Sequence, residues 1–202
     1  MRLTIIGASG HGRVVADIAA KCGYTEIDFL DDNPQTTSCG HRPVVGPTSL
    51  AGNISHDLFV AIGDNAVRAR ILDGLFKAGK SIAALVHPAA VLADDVEIGK
   101  GSVVMAGVVI NPNVTIGSGA IINTCSSVDH DCIVGDYVHI AVGAHLCGTV
   151  RVGANTLIGA GATVINNVSV CPQCLIGAGA VVTQNIPDPG TYIGVPARII
   201  EN

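Results

Sequence analysis

Aromatic side chains are scarce in this chain. Only 3% of its 202 residues are aromatic and Trp is absent, although hydrophobic residues make up 49% of the sequence. An ordinary globular core recruits large aromatic side chains together with aliphatic ones. The abundance of small apolar side chains instead indicates a narrow interior filled by Val, Ile and Ala.

Three other features are missing, and each excludes a class of protein. The net charge is −5, so there is no basic excess that would favour nucleic-acid binding. No segment offers the roughly 18 consecutive apolar residues of a membrane-spanning helix, and the apolar start at residues 3–6 is too short for a signal peptide. The seven cysteines, with a single CxxC at 171–174, predict free thiols in a reducing compartment. We therefore expect a cytoplasmic protein.

A six-residue repeat fills the C-terminal half. From Val86 to Val182, every sixth residue is Val, Ile or Leu, and this phase never slips. The residue two positions earlier is usually small and apolar, so both positions face the same side of a strand. Three short strands in each 18-residue turn form a triangular prism, and the period therefore predicts a left-handed parallel β-helix.

Gly, Asn or Asp often follows the repeated aliphatic residue, as at Gly99, Asn111 and Asp129. These residue types tolerate positive φ, so we expect them to form the prism corners. No insertion interrupts the repeat, which means that an active site must be built on the prism walls. Flat walls of this kind favour assembly about a threefold axis, and we predict a homotrimer.

The sequence predicts two domains, an N-terminal α/β domain at residues 1–80 and the left-handed β-helix with a C-terminal tail at 81–202. In the first, apolar strands at 3–6, 27–30 and 58–62 alternate with helical patterns, which is typical of a small Rossmann-like parallel sheet. The loop at 7–12 has the spacing GxxGxG and joins a strand to a helix, where backbone N–H groups can bind phosphate. This spacing differs from the dinucleotide motif, so a mononucleotide or nucleotide sugar fits better, and an ordinary turn is the alternative.

The hexad register also assigns directions to the histidines of the prism. His139 and His145 each lie between two inward positions and should point outward, whereas His130 lies beyond the corner at Asp129 and next to Asp131. An exposed imidazole beside a carboxylate can act as a general base. His130 and His139 are half a coil apart, so they can share a site only between adjacent subunits. A zinc site of three histidines and plain surface histidines are the alternatives.

Several segments together resemble one family, the bacterial nucleotide-sugar acetyltransferases of the hexapeptide-repeat superfamily. That group includes UDP-bacillosamine-pathway N-acetyltransferases and sialic acid O-acetyltransferases. The segments that carry the resemblance are GASGHG at 7–12, FLDDN at 29–33, AIGDNAVR at 61–68, VHP at 86–88, VDHDC at 128–132, VHI at 138–140 and GVPAR at 194–198. The resemblance thus covers almost the whole chain.

The resemblance implies an enzyme of glycan biosynthesis that transfers the acetyl group of acetyl-CoA to the C4 amine of a nucleotide-linked 4-amino-4,6-dideoxy sugar, with UDP favoured as the nucleotide. O-acetylation of sialic acid is the alternative, and a metal-dependent hydratase or a non-catalytic scaffold is less favoured. No metal is expected.

The resemblance also implies residue roles. His130 would be the general base and Asp131 its orienting partner. The acetyl-CoA and acceptor cleft would be lined by Asn123, His139, Gly143, Ala144 and Gly161, and the nucleotide sugar would be held by Gly10, His11, Gly12, Asp31, Asp32 and Gly63. The segment Cys39-Gly40-His41 has no explanation at this level.

Overall fold

The computed structural model describes residues 1–200 and divides the chain into two compact units, Met1–Pro88 and Ala89–Asn202. The sequence prediction placed the boundary at 80/81. Residues that follow this point still join the first unit, because Ile82 bridges to Leu58 and the thiol of Cys22 donates to the carbonyl of Val86 at 3.2 Å.

The first unit is a five-stranded sheet with helices between its strands. Its elements are β1 (Arg2–Ile6), α1 (Gly10–Lys21), β2 (Glu26–Leu30), β3 (Ser38–Cys39), β4 (Arg42–Gly46), a 3-10 helix (Thr48–Asn53), β5 (Asp57–Val60), α2 (Asn65–Lys77) and β6 (Leu85–Val86). The five strands lie in the order β3-β4-β2-β1-β5, with β1 parallel to both β2 and β5. The last four residues of β1 are all buried, as expected for a central parallel strand.

The predicted strands and helices of this unit are present, but the hairpin of β3 and β4 was not predicted. Each of its paired segments is short, and Gly40 makes the turn with φ of 64°. This turn accounts for the segment Cys39-Gly40-His41, since Cys39 is buried and Gly40 supplies the left-handed backbone of a tight connection.

The second unit is the predicted prism. Its strands are β7 (Val91–Leu92), β8 (Glu97–Ile98), β9 (Val103–Val104), β10 (Val109–Ile110), β11 (Thr115–Ile116), β12 (Ile121–Ile122), β13 (Ser127–Val128), β14 (Ile133–Val134), β15 (His139–Ile140), β16 (His145–Leu146), β17 (Arg151–Val152), β18 (Leu157–Ile158), β19 (Thr163–Val164), β20 (Ser169–Val170), β21 (Leu175–Ile176), β22 (Val181–Val182), β23 (Thr191–Ile193) and β24 (Arg198–Ile200).

Each strand from β7 to β23 pairs in parallel with the strand one coil away, as Val109 pairs with Val91 before it and Ser127 after it, whereas β24 pairs antiparallel with β23. Three faces result. Face 1 contains β7, β10, β13, β16, β19 and β22; face 2 contains β8, β11, β14, β17 and β20; face 3 contains β9, β12, β15, β18, β21 and β23. The aliphatic residue at every sixth position from Val104 to Val182 is buried, which confirms the predicted inward positions.

The expectation for the corners is wrong in one respect. The residue with positive φ is the third after the aliphatic residue, as at Asn113, Asp131 and Gly143, and not the first. Glycine in the first position has a different cause, which is the close stacking of coils. A Cβ on Gly135 would lie 2.8 Å from the backbone nitrogen of Ala154 in the next coil. Coil stacking, therefore, and not backbone conformation, selects glycine there.

Candidate active site

His130 and Asp131 lie at the corner between faces 1 and 2. We call this the polar corner and define it by residues 93–95, 111–113, 129–131, 147–149 and 165–167. Nδ1 of His130 lies 2.7 Å from Oδ2 of Asp131, and about half of each side chain is exposed. The hydrogen bond with Asp131 raises the pKa of His130 above its ordinary value. The pair that the sequence predicted is thus present and outward-facing.

The coil before this pair supplies two asparagines that were not predicted. Nδ2 of Asn113 donates to Oδ1 of Asp131 at 2.6 Å, and Nδ2 of Asn111 donates to Oδ1 of Asp129 at 2.6 Å. The hydrogen bond from Asn113 is the largest cause of the lowered pKa of Asp131, followed by the bond with His130. Each asparagine precedes its aspartate by 18 residues, so the coil length places the two residues in adjacent coils, but it does not show that their side chains bond.

The coil after the pair bounds the imidazole from the other side. The backbone N–H of Thr149 donates to the carbonyl of His130 at 2.8 Å. Gly148 lies beside the ring, and a Cβ at this position would be 2.6 Å from Nε2 of His130. The absence of a side chain at Gly148 therefore leaves space for the imidazole in its observed orientation.

His139 lies on face 3, which is opposite the polar corner. Nε2 of His139 is 3.1 Å from the side-chain nitrogen of Asn123, which lies at the corner between faces 3 and 1. The structure thus brings Asn123 and His139 together and leaves His130 on another side of the prism. This arrangement agrees with the prediction that the two histidines do not meet within one chain.

The three small residues predicted for the acetyl-CoA cleft fall into two groups. Gly143 and Gly161 form the corner between faces 3 and 1, and no atom lies within 4 Å of where their Cβ atoms would be. Their N–H groups donate within the coil stack, to the carbonyls of Thr124 and Val142. Ala144 is fully buried inside the prism, directly behind this open corner.

Two cysteines differ in exposure: Cys132 directly follows the polar corner, and Cys125 lies at the corner between faces 3 and 1. Cys132 is buried, and burial raises the pKa of its thiol to about 11, whereas Cys125 is exposed. A thiol with such a pKa stays protonated and is a poor nucleophile near neutral pH.

In the first unit, α1 begins at Gly10, directly after the loop that follows β1. The first N–H groups of a helix have no intrahelical partner and can receive an anion. Gly10 has open space around it, whereas a Cβ on Gly12 would lie 2.1 Å from the carbonyl oxygen of Gly7. Gly12 is thus required for close packing of the helix on the strand, and Gly10 lies at the open end of the helix.

The two acidic residues after β2 hold neighbouring loops. Oδ2 of Asp31 accepts from the backbone N–H of Ala8 at 2.8 Å, which ties the end of β2 to the glycine loop. Asp32 accepts from both the backbone N–H and the hydroxyl of Thr48. Both predicted nucleotide-binding carboxylates therefore have intramolecular partners.

His11 lies in the first turn of α1, with Nε2 buried and without a hydrogen-bond partner in the described part of the chain. Burial, followed by the charge of Arg68, lowers the pKa of His11 to about 4. The Arg68 side chain is itself buried and donates to the carbonyls of Ile62 and Gly63, which shapes the exposed turn at Gly63.

Within residues 1–200, no three His, Cys, Asp or Glu side chains converge as metal ligands. In the same range, no helix combines the length and hydropathy needed to cross a membrane.

Three family models match parts of the chain. Residues 2–75 match the PglD N-terminal domain, residues 149–184 match the bacterial transferase hexapeptide (six repeats), and residues 95–112 match the hexapeptide repeat of succinyl-transferase.

Solved structures match over nearly the full length. The acetyltransferase domain of PglB from Neisseria gonorrhoeae FA1090 is 41% identical, with 98% of this chain and 99% of that chain covered and a TM-score of 0.95. The same domain has been solved in complex with acetyl coenzyme A. This chain belongs to the bacterial nucleotide-sugar acetyltransferases of the hexapeptide-repeat superfamily.

The descriptions of two further relatives name a nucleotide sugar. PerB from Caulobacter crescentus, solved with CoA and GDP-perosamine, is 39% identical, covers 100% of this chain and 98% of its own, and has a TM-score of 0.92. The UDP-N-acetylbacillosamine N-acetyltransferase of Bacillus subtilis (strain 168) is 35% identical over 110 residues, 52% of this chain and 51% of that protein. This chain thus matches about half the length of that curated relative.

Membership of this family confirms the predicted fold and the predicted class, an acetyl-CoA-dependent sugar acetyltransferase. The nucleotide, the sugar and the roles of single residues stay predictions.

Proposed function

We propose that this chain transfers the acetyl group of acetyl-CoA to the C4 amine of a nucleotide-linked 4-amino-4,6-dideoxy sugar. A UDP-linked sugar is the first candidate and a GDP-linked sugar the second, since the named relatives include one of each kind. The observation that carries the proposal is the exposed pair of His130 and Asp131, 2.7 Å apart at the polar corner.

The pair has the arrangement that general-base catalysis requires. With Nδ1–H of His130 donating to Asp131, Nε2 of the imidazole is the free base. Nε2 removes a proton from the neutral attacking amine while the amine nitrogen forms a bond to the carbonyl carbon of the thioester. The tetrahedral intermediate then collapses to the amide, the C–S bond breaks, and the CoA thiolate takes the proton back from the imidazolium. Asp131 stabilises the imidazolium while it exists.

The acetyl-CoA and acceptor cleft is assigned to the opposite side of the prism. Asn123 and His139 provide polar groups there, while Gly143 and Gly161 provide a surface without side chains, backed by the buried Ala144. Because these residues lie away from His130 in one chain, a site that uses both sets needs two chains. We therefore propose a homotrimer with active sites between subunits, and light scattering that gives a monomer at micromolar concentration would contradict this.

The nucleotide is assigned to the glycine loop of the first unit. The open helix start at Gly10 suits a diphosphate, and Asp31 fixes the loop through Ala8. His11, Gly12, Asp32 and Gly63 complete the proposed surroundings of the nucleotide. We place the reaction in the cytoplasm, a location with which seven free cysteines agree.

A two-step experiment tests the substrate. Thermal shift with UDP-linked sugars, GDP-linked sugars and CMP-sialate identifies the nucleotide, because a ligand that binds only the folded state raises the midpoint. Thiol release from acetyl-CoA then identifies the acceptor.

We expect thiol release only with a UDP- or GDP-linked amino sugar, and a product that resists the mild alkali that cleaves acetate esters. Release with CMP-sialate and an alkali-labile product would contradict the proposal.

A further inference from the structure

Asn113 forms a hydrogen bond with Asp131 that the proposed mechanism does not use. It lies at the polar corner, one coil before Asp131, and its Nδ2 donates to Oδ1 of Asp131 at 2.6 Å. The other carboxylate oxygen, Oδ2, faces Nδ1 of His130 at 2.7 Å. Each oxygen of this carboxylate therefore has its own partner, one from the coil below and one from the imidazole.

The donor is itself held in place. The backbone N–H of Asn113 donates to Oδ2 of Asp95 at 3.0 Å, one further coil below. The carbonyl of the preceding residue, Pro112, accepts from the backbone N–H of Asp131 at 3.1 Å. The peptide group between Pro112 and Asn113 is thus anchored to the coils on either side of it, which fixes the backbone from which Nδ2 reaches Asp131.

The exposure of the pair explains why such an anchor matters. The side chain of His130 is 57% exposed and that of Asp131 is 46% exposed. An exposed ion pair contributes little by itself, because water screens it and both side chains lose rotational freedom when they meet. A third group that fixes the carboxylate reduces this entropic cost, since only the imidazole then remains to be ordered.

We propose that Asn113 is a positioning residue, which holds the carboxylate of Asp131 so that it engages Nδ1 of His130 and leaves Nε2 directed at the substrate. The inference rests on the proposed role of His130 as general base. Asn113 itself touches neither substrate nor reacting atoms.

The same corner offers a matched control. Asn167 has φ of 62°, close to the 61° of Asn113, and its Oδ1 accepts from the hydroxyl of Thr149 one coil below at 2.6 Å. This contact is also a hydrogen bond between coils at a left-handed corner, but neither of its side chains bonds to the imidazole of a histidine or to its carboxylate partner. A purely structural role would make the two asparagines equivalent.

The first test replaces each asparagine with glycine, which keeps the positive φ accessible and removes the amide. We expect Asn113→Gly to lower kcat by about threefold to tenfold, the range that corresponds to the net contribution of a typical hydrogen bond, with KM for acetyl-CoA nearly unchanged. Asn167→Gly should leave kcat close to that of the parent. Equal losses in the two variants, or a rise in KM alone, would overturn the proposal.

The second test uses charge. Asn113→Asp places another carboxylate next to the pair, and negative charge favours the protonated imidazole. The acidic limb of kcat/KM should therefore move to higher pH, while Asn167→Asp should leave it in place. A limb that does not move, or moves equally in both variants, would contradict a link between Asn113 and His130.

The third test separates this proposal from the general-base assignment. Nitrogen NMR of His130 reports which ring nitrogen carries the proton and requires no substrate. The parent should show predominantly the Nδ1–H form, and Asn113→Gly should show a mixture of both forms. An unchanged ratio would refute positioning by Asn113. Full activity of His130→Ala, by contrast, would refute the proposed base without altering the NMR result.

Discussion

His11 and His130 occupy opposite environments in the two units of the chain. His11 has a buried Nε2 without a partner among the described residues, and burial together with the charge of Arg68 lowers its pKa to about 4. His130 is exposed, and the hydrogen bond with Asp131 raises its pKa. Two residues of the same type are therefore shifted in opposite directions, one mainly by desolvation and the other by a carboxylate.

The comparison separates the proposed binding group from the proposed catalytic one. His11 stays neutral throughout the physiological range, so it can offer a hydrogen bond but takes up no proton there. The pKa of His130 is raised by the hydrogen bond with Asp131, which favours uptake of the proton that a general base must accept. Both histidines lie in motifs that resemble the family, and only their surroundings distinguish their chemistry.

The largest expected effect tests the catalytic side of this comparison. His130→Ala should lower kcat by about 10²- to 10⁴-fold, the usual contribution of general-base catalysis, because the proposed base is removed. Thiol release at saturating acetyl-CoA and sugar measures this change.

His145→Ala is the matched control, since His145 is another exposed histidine of the prism whose Nδ1 faces the hydroxyl of Ser127 at 2.8 Å and not a carboxylate. We expect this control to retain most of the activity. If His130→Ala remains nearly as active as His145→Ala, the distinction between the two histidine environments has no catalytic meaning.

Asp131→Asn should have the next largest effect. Asparagine is compatible with the φ of 61° at this position, so the backbone is preserved and only the charge is lost. We expect kcat to fall by about tenfold to 100-fold, as the imidazolium loses its stabilising partner. Because Asp131 raises the pKa of His130, its removal should also move the acidic limb of kcat/KM to lower pH.

The pH profile of both enzymes over the acidic range measures this shift. A limb that stays in place, or moves to higher pH, would show that Asp131 does not set the charge of the base.

Gly148→Ala should have a smaller effect on kcat, and only through a steric clash with the imidazole of His130. The added Cβ would lie 2.6 Å from Nε2 of His130, and the exposed imidazole should turn away because it moves more easily than the coil backbone. We expect kcat to fall by about threefold to tenfold with little change in the free energy of unfolding. In the His130→Ala background the same substitution should cost nothing further, and an equal loss there would refute the steric explanation.

Much of the prism could be predicted because the six-residue repeat that defines it is a local sequence pattern. One aliphatic residue in every six fixes which side chains point inward, and this was sufficient to place His130 outside next to Asp131. The contacts of Asn113 and Gly148 could not be predicted in the same way. They depend on which side chains reach across from adjacent coils, and this follows from corner backbone angles that the residue types did not reveal.

The first unit shows the same limit. The strand at Arg2–Ile6 and the helix at Gly10–Lys21 follow from hydrophobic pattern and turn residues. The lowered pKa of His11 depends on burial and then on the charge of Arg68, which lies in α2, far along the chain. Local pattern therefore predicted that His11 lies beside a helix start, but not that it is buried and uncharged.

The smallest expected effect concerns the stability of the first unit. In the unfolded chain His11 takes up a proton near its ordinary pKa of 6.5, whereas in the folded chain it does so only near 4, so acid favours the unfolded state between these values. This difference should remove about 2 kcal/mol of the free energy of unfolding between pH 7 and pH 5. Urea denaturation at the two pH values measures the loss, which should largely disappear in His11→Gln and persist in a control variant at the exposed His41, His41→Gln. If His11→Gln loses as much stability as the parent over this range, the imidazole of His11 is not the neutral group that its buried Nε2 indicates. The contrast between His11 and His130 would then be wrong for His11.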